Sequence, residues 1–229
     1  FDYKDKFQDS TWLSLMQNRL DFRNLFLSNK GSFFLHLDEK ANYLGRIILG
    51  NIKNEIIWYK GFRGTESKRI FQHAHDTIFF QSKSSEYLWN CPGEPYKDSG
   101  LGRYNKTDEN GKKYALIKRQ RTDGSVYYGK TYPKDGGKSA NDVISHISTM
   151  ASTDSQRMGF ATQKPEQLME FLIKSVSNIN SYVMDFFSGS ATTIASAHKL
   201  KRKWVGVEMG DHFYTVNIPR MKWVLHGNQ

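Results

Sequence analysis

Two carboxylates and a turn of small residues stand at a spacing that suits a nucleoside. Asp185 opens the run Asp185-Phe186-Phe187-Ser188-Gly189-Ser190-Ala191-Thr192-Thr193, and Glu208 lies 23 positions beyond it. The apolar stretch 181–187 reads as a strand, the following IASAHKLK as a helix, and KWVGVE, 203–208, as the next strand. Together they make one βαβ unit. A tight small-residue turn lets a ligand approach the backbone and aims the amides of the next helix at an anionic group. A carboxylate at the end of the second strand can accept both hydroxyls of a ribose. The implied ligand is a nucleoside cofactor with a negative group. The G-x-G-x-x-G of dinucleotide enzymes and the G-x-x-x-x-G-K of nucleotide hydrolases are both missing. S-adenosylmethionine fits better, with its ribose at Glu208, its amino-acid end at the Gly189 turn and its amino group within reach of Asp185. The same residues also make a plain tight turn of any α/β protein, and turn and acid alone do not choose.

The surrounding elements must hold that turn. Residues 9–29 carry Leu13, Met16, Leu20, Leu27, Trp12, Phe22 and Phe26 at roughly helical spacing, with Asp9 or Ser10 as cap and Asn29-Lys30-Gly31 as stop. A buried strand is predicted over 31–37, then a helix from Asp38-Glu39 to Gly50. EIIWY, 55–59, and DTIFFQ, 76–81, are strand-like. Pro165 opens a helix over 165–177, and 211–225 reads as a last amphipathic helix. Only 21 residues follow Glu208, too few to complete a doubly wound sheet. The other strands must come from earlier in the chain, which predicts a circularly permuted Rossmann-like α/β sheet.

Between the two halves the composition changes. Residues 97–138 hold eleven Lys/Arg against five Asp/Glu, which is over half of the chain's net charge of +10, with seven glycines and five tyrosines. This reads as an irregular β-hairpin and loop insertion. A charge run is usually a solvated face. Interleaved tyrosines favour DNA contact instead, with Lys112, Lys113 and Lys118 on phosphates and Arg103, Arg119 or Arg121 able to read guanine. The predicted division is 1–90, an inserted recognition segment 91–154, and a cofactor half 155–229. In 229 residues a single cysteine, Cys91, excludes an internal disulfide and fits a reducing cytoplasm. No apolar run approaches the ~20 residues of a membrane helix, and no charged-then-apolar leader opens the sequence. His36, His73 and His75 are scattered, so no metal site is expected.

The run from Asp185 to Thr193 resembles the cofactor motif of bacterial amino-methylating DNA methyltransferases. Thr162-Gln163-Lys164-Pro165 is similar to the motif that precedes it in the β-class order. Phe1-Asp2-Tyr3-Lys4-Asp5-Lys6-Phe7 and Ser10-Thr11-Trp12-Leu13 resemble the segment after the catalytic motif in modification subunits of type III restriction systems. Gly31-Ser32-Phe33-Phe34-Leu35-His36-Leu37-Asp38 and His75-Asp76-Thr77-Ile78-Phe79-Phe80 are similar to further core strands. The resemblance covers 1–90 and 155–225. It implies S-adenosylmethionine held by Asp185, Phe186, Ser188, Gly189, Ser190, Thr192, Thr193 and Glu208. It adds the 162–165 loop and Asp38, which reads equally as a helix cap. It implies methylation of an exocyclic amine, adenine N6 favoured over cytosine N4, on a base flipped out of duplex DNA. The family's Asp-Pro-Pro-Tyr catalytic motif is expected just upstream of Phe1, where Phe1 and Tyr3 would flank its pocket. Ala191 stands where the family has glycine. A second copy of the chain and a restriction subunit are the further partners implied. The competing reading is a DNA-binding or specificity module that keeps the fold without catalysis.

Overall fold

The computed structural model describes residues 9–61 and 68–227. The segment 1–7 and the flanking roles of Phe1 and Tyr3 lie outside them. In chain order the elements are helix α1 (Asp9–Phe26), strand β1 (Ser32–Leu37), α2 (Asn42–Leu49), β2 (Asn54–Tyr59), β3 (His75–Ser82), β4 (Gly93–Glu94), α3 (Asp98–Leu101), β5 (Lys106–Thr107), β6 (Lys113–Gln120), β7 (Val126–Thr131), β8 (Lys138–Ser139), β9 (Val143–Ile144), α4 (Glu166–Val176), β10 (Tyr182–Asp185), α5 (Thr192–Lys199), β11 (Lys203–Gly206), a π-helical turn (Phe213–Asn217) and α6 (Ile218–Leu225). They form two compact units, Phe1–Asn90 with Asp142–Gln229, and Cys91–Asn141.

In the first unit β3 lies between β1 and β2 and runs antiparallel to both, with Leu35 opposite Phe79 and Trp58 opposite Asp76. β9 adds to β2 in parallel. The apolar run of β3 is buried on both faces, because successive side chains point opposite ways. Ile78 packs with Trp58, Ile144, Ile147, Leu168 and Leu172, under α4. Phe79 packs with Met16, Leu20, Leu35 and Leu49, under α1 and α2. The Trp58 indole donates to the carbonyl of Ile147 at 2.8 Å. The pairing of β9 and the burial of Ile144 and Ile147 draw residues 142–154 into this unit, so the inserted unit ends at Asn141 rather than at 154.

β10 and β11 form a separate parallel pair, with Asp185 opposite Gly206. α5 crosses between them and packs on α6 through Ala191, Ile194, Ala195, Met221 and Val224. Both strands stop short of the expected ends at 187 and 208, because the chain turns to build the site. The distal half of α1 exposes Phe22, Leu25 and Phe26, unlike the buried Met16 and Leu20.

The second unit is built on the expected hairpin. β6 and β7 pair antiparallel from Ala115 opposite Thr131 to Gln120 opposite Val126, and β5 adds alongside β6. Gly124 takes the left-handed backbone at the hairpin tip, φ +84°. β4 pairs with β8, where Lys138 meets the buried Glu94 at 2.5 Å.

Candidate functional site

The turn after β10 is held at several points. Val207 donates its amide to the carbonyl of Asp185 at 2.8 Å, and Ser188 donates to that of Val207 at 3.0 Å. Asp185 Oδ1 accepts the Phe187 amide at 2.9 Å. Gly189 is left-handed at φ +52°, and a Cβ there would sit 3.4 Å from the Phe160 ring. Ala191 is left-handed too, at φ +62°, which costs an alanine about 1–2 kcal/mol. The surrounding packing imposes that conformation, since Ala191 is fully buried.

Behind the turn lies a buried polar network that carries no motif of its own. The Arg220 guanidinium, fully buried on α6, donates to the Ser190 carbonyl at 3.0 Å, to Thr192 Oγ1 at 2.9 Å and to Glu166 Oε1 at 2.7 Å. Glu166 Oε2 takes Lys199 Nζ at 2.7 Å. Asn217 donates its side-chain amide to the Gly189 carbonyl. Ser190 and Thr192 share a hydroxyl contact of 2.9 Å and are buried. Their hydroxyls therefore brace the turn from inside instead of facing a ligand, and Thr193 Oγ1 likewise turns to the Met169 sulfur.

Glu208 also differs from expectation. Its Oε2 accepts the Gly189 amide at 2.8 Å and meets His212 Nε2 at 3.0 Å, while Oε1 accepts the amides of Met209 and Gly210 at 2.8 and 2.9 Å. Burial pushes this carboxyl up, but the Gly210 and Gly189 amides and His212 outweigh it and hold it below the usual range. A carboxylate has about four lone-pair sites, and here all are met. Glu208 ties the end of β11 to the turn.

The 162–165 loop is built differently from its neighbours. Gln163 spans to the Met158 amide and the Gln156 carbonyl, at 2.8 and 2.6 Å, and so braces its own loop. Pro165 is the residue before α4 rather than its first turn. Lys164 is held below the usual lysine range chiefly by burial, with Lys60 adding to that and Asp76 and Asp38 opposing it. Asp38 Oδ1 accepts the Lys40 amide at 3.1 Å, while α2 begins only at Asn42 without a side-chain cap, so Asp38 is not that helix's cap.

Next to Lys164 sits a cluster that sequence reasoning missed. Buried Asp76 accepts from Lys60 Nζ at 2.5 Å and meets His36 Nε2 at 3.0 Å. Burial pushes the Asp76 carboxyl up, but the bonds from His36 and Lys60 prevail and bring it down to about 2. His36 lies below the usual histidine range, chiefly through burial, with Lys164 and Lys60 reinforcing and Asp76 opposing. For both groups the unfolded chain takes up protons first, so stability is lost as pH falls. The unfolding free energy in urea is expected to drop first below about pH 6.5, through His36, and again from about pH 4 toward 2, through Asp76. Asp76→Asn should flatten the lower limb; an unchanged profile below pH 4 would refute the assignment.

In the second unit several predicted DNA residues are engaged within the unit itself. Arg119 lies across Gly129 and donates to Thr131 Oγ1 at 3.1 Å. Arg121 covers the Tyr127 ring, Lys112 the Tyr132 ring and Arg103 the Tyr104 ring. Lys113 and Lys118 stand exposed on β6, with no such partner among the described residues. No group of three or more His, Cys, Asp or Glu is placed to hold a metal among the described residues. Nor does a described helix have the length and apolarity to cross a membrane.

Helices on both faces of the first sheet, and a small-residue elbow at the carboxyl end of a parallel strand, define an α/β protein. Comparison with known proteins gives the class its family. The N6/N4 DNA methylase family model matches residues 1–218, and the chain belongs to this family of DNA methylases. Type II methyltransferase M1.MboII of Moraxella bovis is 30% identical over 167 residues, 70% of this chain and 59% of that protein. The probable type III restriction-modification enzyme HindVI Mod subunit of Haemophilus influenzae is 21% identical, with 100% of this chain aligned to 46% of that protein. The chain thus spans about half the length of these curated relatives. The solved M1.HpyAVI–SAM complex shares the fold, with TM-score 0.60, 17% identity, 91% of this chain and 82% of that one.

Proposed function

We propose that the protein containing this chain transfers a methyl group from S-adenosylmethionine to an exocyclic amine in duplex DNA, adenine N6 being the favoured target. The observation that carries this is the elbow itself. Asp185 has one carboxylate oxygen committed to Phe187 and the other without a partner among the described residues, at the mouth of a glycine turn that leads into α5. The donor set suits the cofactor: a carboxylate for its ammonium, turn amides and Lys164 for its carboxylate, and Phe186 beside the turn. Glu208 would hold the ribose hydroxyls in place of its Gly189 or His212 partner. Bound there, the cofactor supplies an electrophilic sulfonium methyl. The protein then orients the methyl and excludes water, since little beyond positioning is needed once the amine is held in line. The base reaches the site by leaving the duplex stack. Such a protein works in the cytoplasm as part of restriction-modification, with a second copy or a restriction subunit as partner. The similarity to a Mod subunit supports the latter.

The test is methyl transfer from labelled cofactor to duplex DNA by the full-length protein, followed by identification of the modified base. Label on N6-methyladenine is expected. DNA binding without any transfer would instead support a specificity module.

The second unit is the proposed DNA-contacting element, with Lys113 and Lys118 as its phosphate contacts. Their joint replacement by alanine should reduce the slope of log affinity against log salt by about 2. Cofactor affinity should not change. An unaltered slope in a filter-binding or anisotropy titration would remove the hairpin from the DNA interface.

A further inference from the structure

We infer that Arg220 is a positioning residue that sets the 188–192 turn against the 162–165 loop, so that both segments of the cofactor site hold a single geometry. The inference rests on the reading above that this turn binds S-adenosylmethionine. Arg220 touches neither motif in sequence, yet it joins them in space. One guanidinium nitrogen holds the Ser190 carbonyl and the Thr192 hydroxyl; the other holds Glu166, the residue that follows Pro165. Glu166 in turn binds Lys199 on α5, so α4, α5, α6 and the turn meet at one carboxylate. The planar fork of arginine fixes those directions in a way that a lysine point charge does not.

Stability alone does not account for this choice. A buried ion pair is often no more stable than well-packed apolar residues of the same volume. What the pair does supply is direction. Asn217, one helical turn before Arg220, holds the Gly189 carbonyl from the same side. A trans peptide points its N–H opposite to its carbonyl. The Ser190 amide, which has no partner among the described residues, is thereby aimed away from α6. The brace from α6 thus presents a backbone donor at the front of the turn.

In the full-length protein, Arg220→Lys keeps the charge and loses the fork. Calorimetric titration with S-adenosylmethionine, run well below each variant's melting midpoint, is expected to show about 10- to 100-fold weaker binding. KM for the cofactor should rise in step, with kcat at saturation held within about threefold. Hydrogen exchange should quicken at 189–192 and stay unchanged in β1 to β3. Leu20→Ala, in the core under α1 and remote from the turn, is the control for simple destabilisation. It should lower the melting midpoint and leave cofactor affinity within about twofold. Where Arg220→Lys does not fold, Glu166→Gln keeps a neutral partner for the arginine and should weaken binding about three- to tenfold. Unchanged affinity in the folded variant, or an equal loss in Leu20→Ala, overturns the inference. If Asp185→Ala binds cofactor as tightly as the unaltered protein, the pocket reading is what has failed.

Discussion

Asp185→Ala is expected to weaken S-adenosylmethionine binding by about 100-fold, because it removes a charged hydrogen-bond acceptor worth roughly 1.5–3 kcal/mol. Asp185 is half-buried at the end of β10 and makes one internal bond, to the Phe187 amide. The fold loses only that bond, about 1 kcal/mol. Asp185→Asn separates the two contributions. It retains the acceptor for Phe187 but has no charge to offer the cofactor ammonium, so its stability should match the parent while its affinity falls. Calorimetry gives the affinity and thermal melting the stability. A variant that melts normally and binds normally would show that the elbow is only a turn.

Arg220→Met should cost about 3–5 kcal/mol of folding stability, because it breaks a buried pair without removing the partner charge. Glu166 would keep Lys199 alone, and the Ser190 carbonyl and Thr192 hydroxyl would lose their donor. Glu166→Leu leaves the guanidinium buried with no anion and should cost at least as much. The double variant should lose clearly less than the two single losses combined, since contacting residues are not additive. Urea unfolding of the four proteins measures the coupling. Strict additivity would mean that the two side chains do not act as a pair.

The βαβ unit, the helix after Pro165 and the basic hairpin are legible in the amino-acid sequence. Each depends on local pattern: apolar period, a glycine turn, charge and tyrosine content. The residues that brace the site are not legible there. Arg220 stands 54 positions from Glu166, and His36 stands 40 from Asp76. One signal for Arg220 exists, since it falls on the apolar face of the last helix with Val216 and Val224, four residues to either side. A cation on that face needs a buried partner. Glu166 gives no such sign, because an acid in a first helical turn is ordinary.

Linear order alone determined that a carboxylate, a glycine elbow and a second carboxylate would come together at the ends of two neighbouring strands, for these are set by short-range geometry. Tertiary structure alone decided which of their atoms remain free. Glu208 is drawn onto backbone amides, the Ser190 and Thr192 hydroxyls turn inward, and the hairpin arginines Arg119 and Arg121 lie on Thr131 and Tyr127 of the facing strand. Hydrogen-bond satisfaction in a buried environment is settled by neighbours distant in sequence, and spacing along the chain carries no record of it.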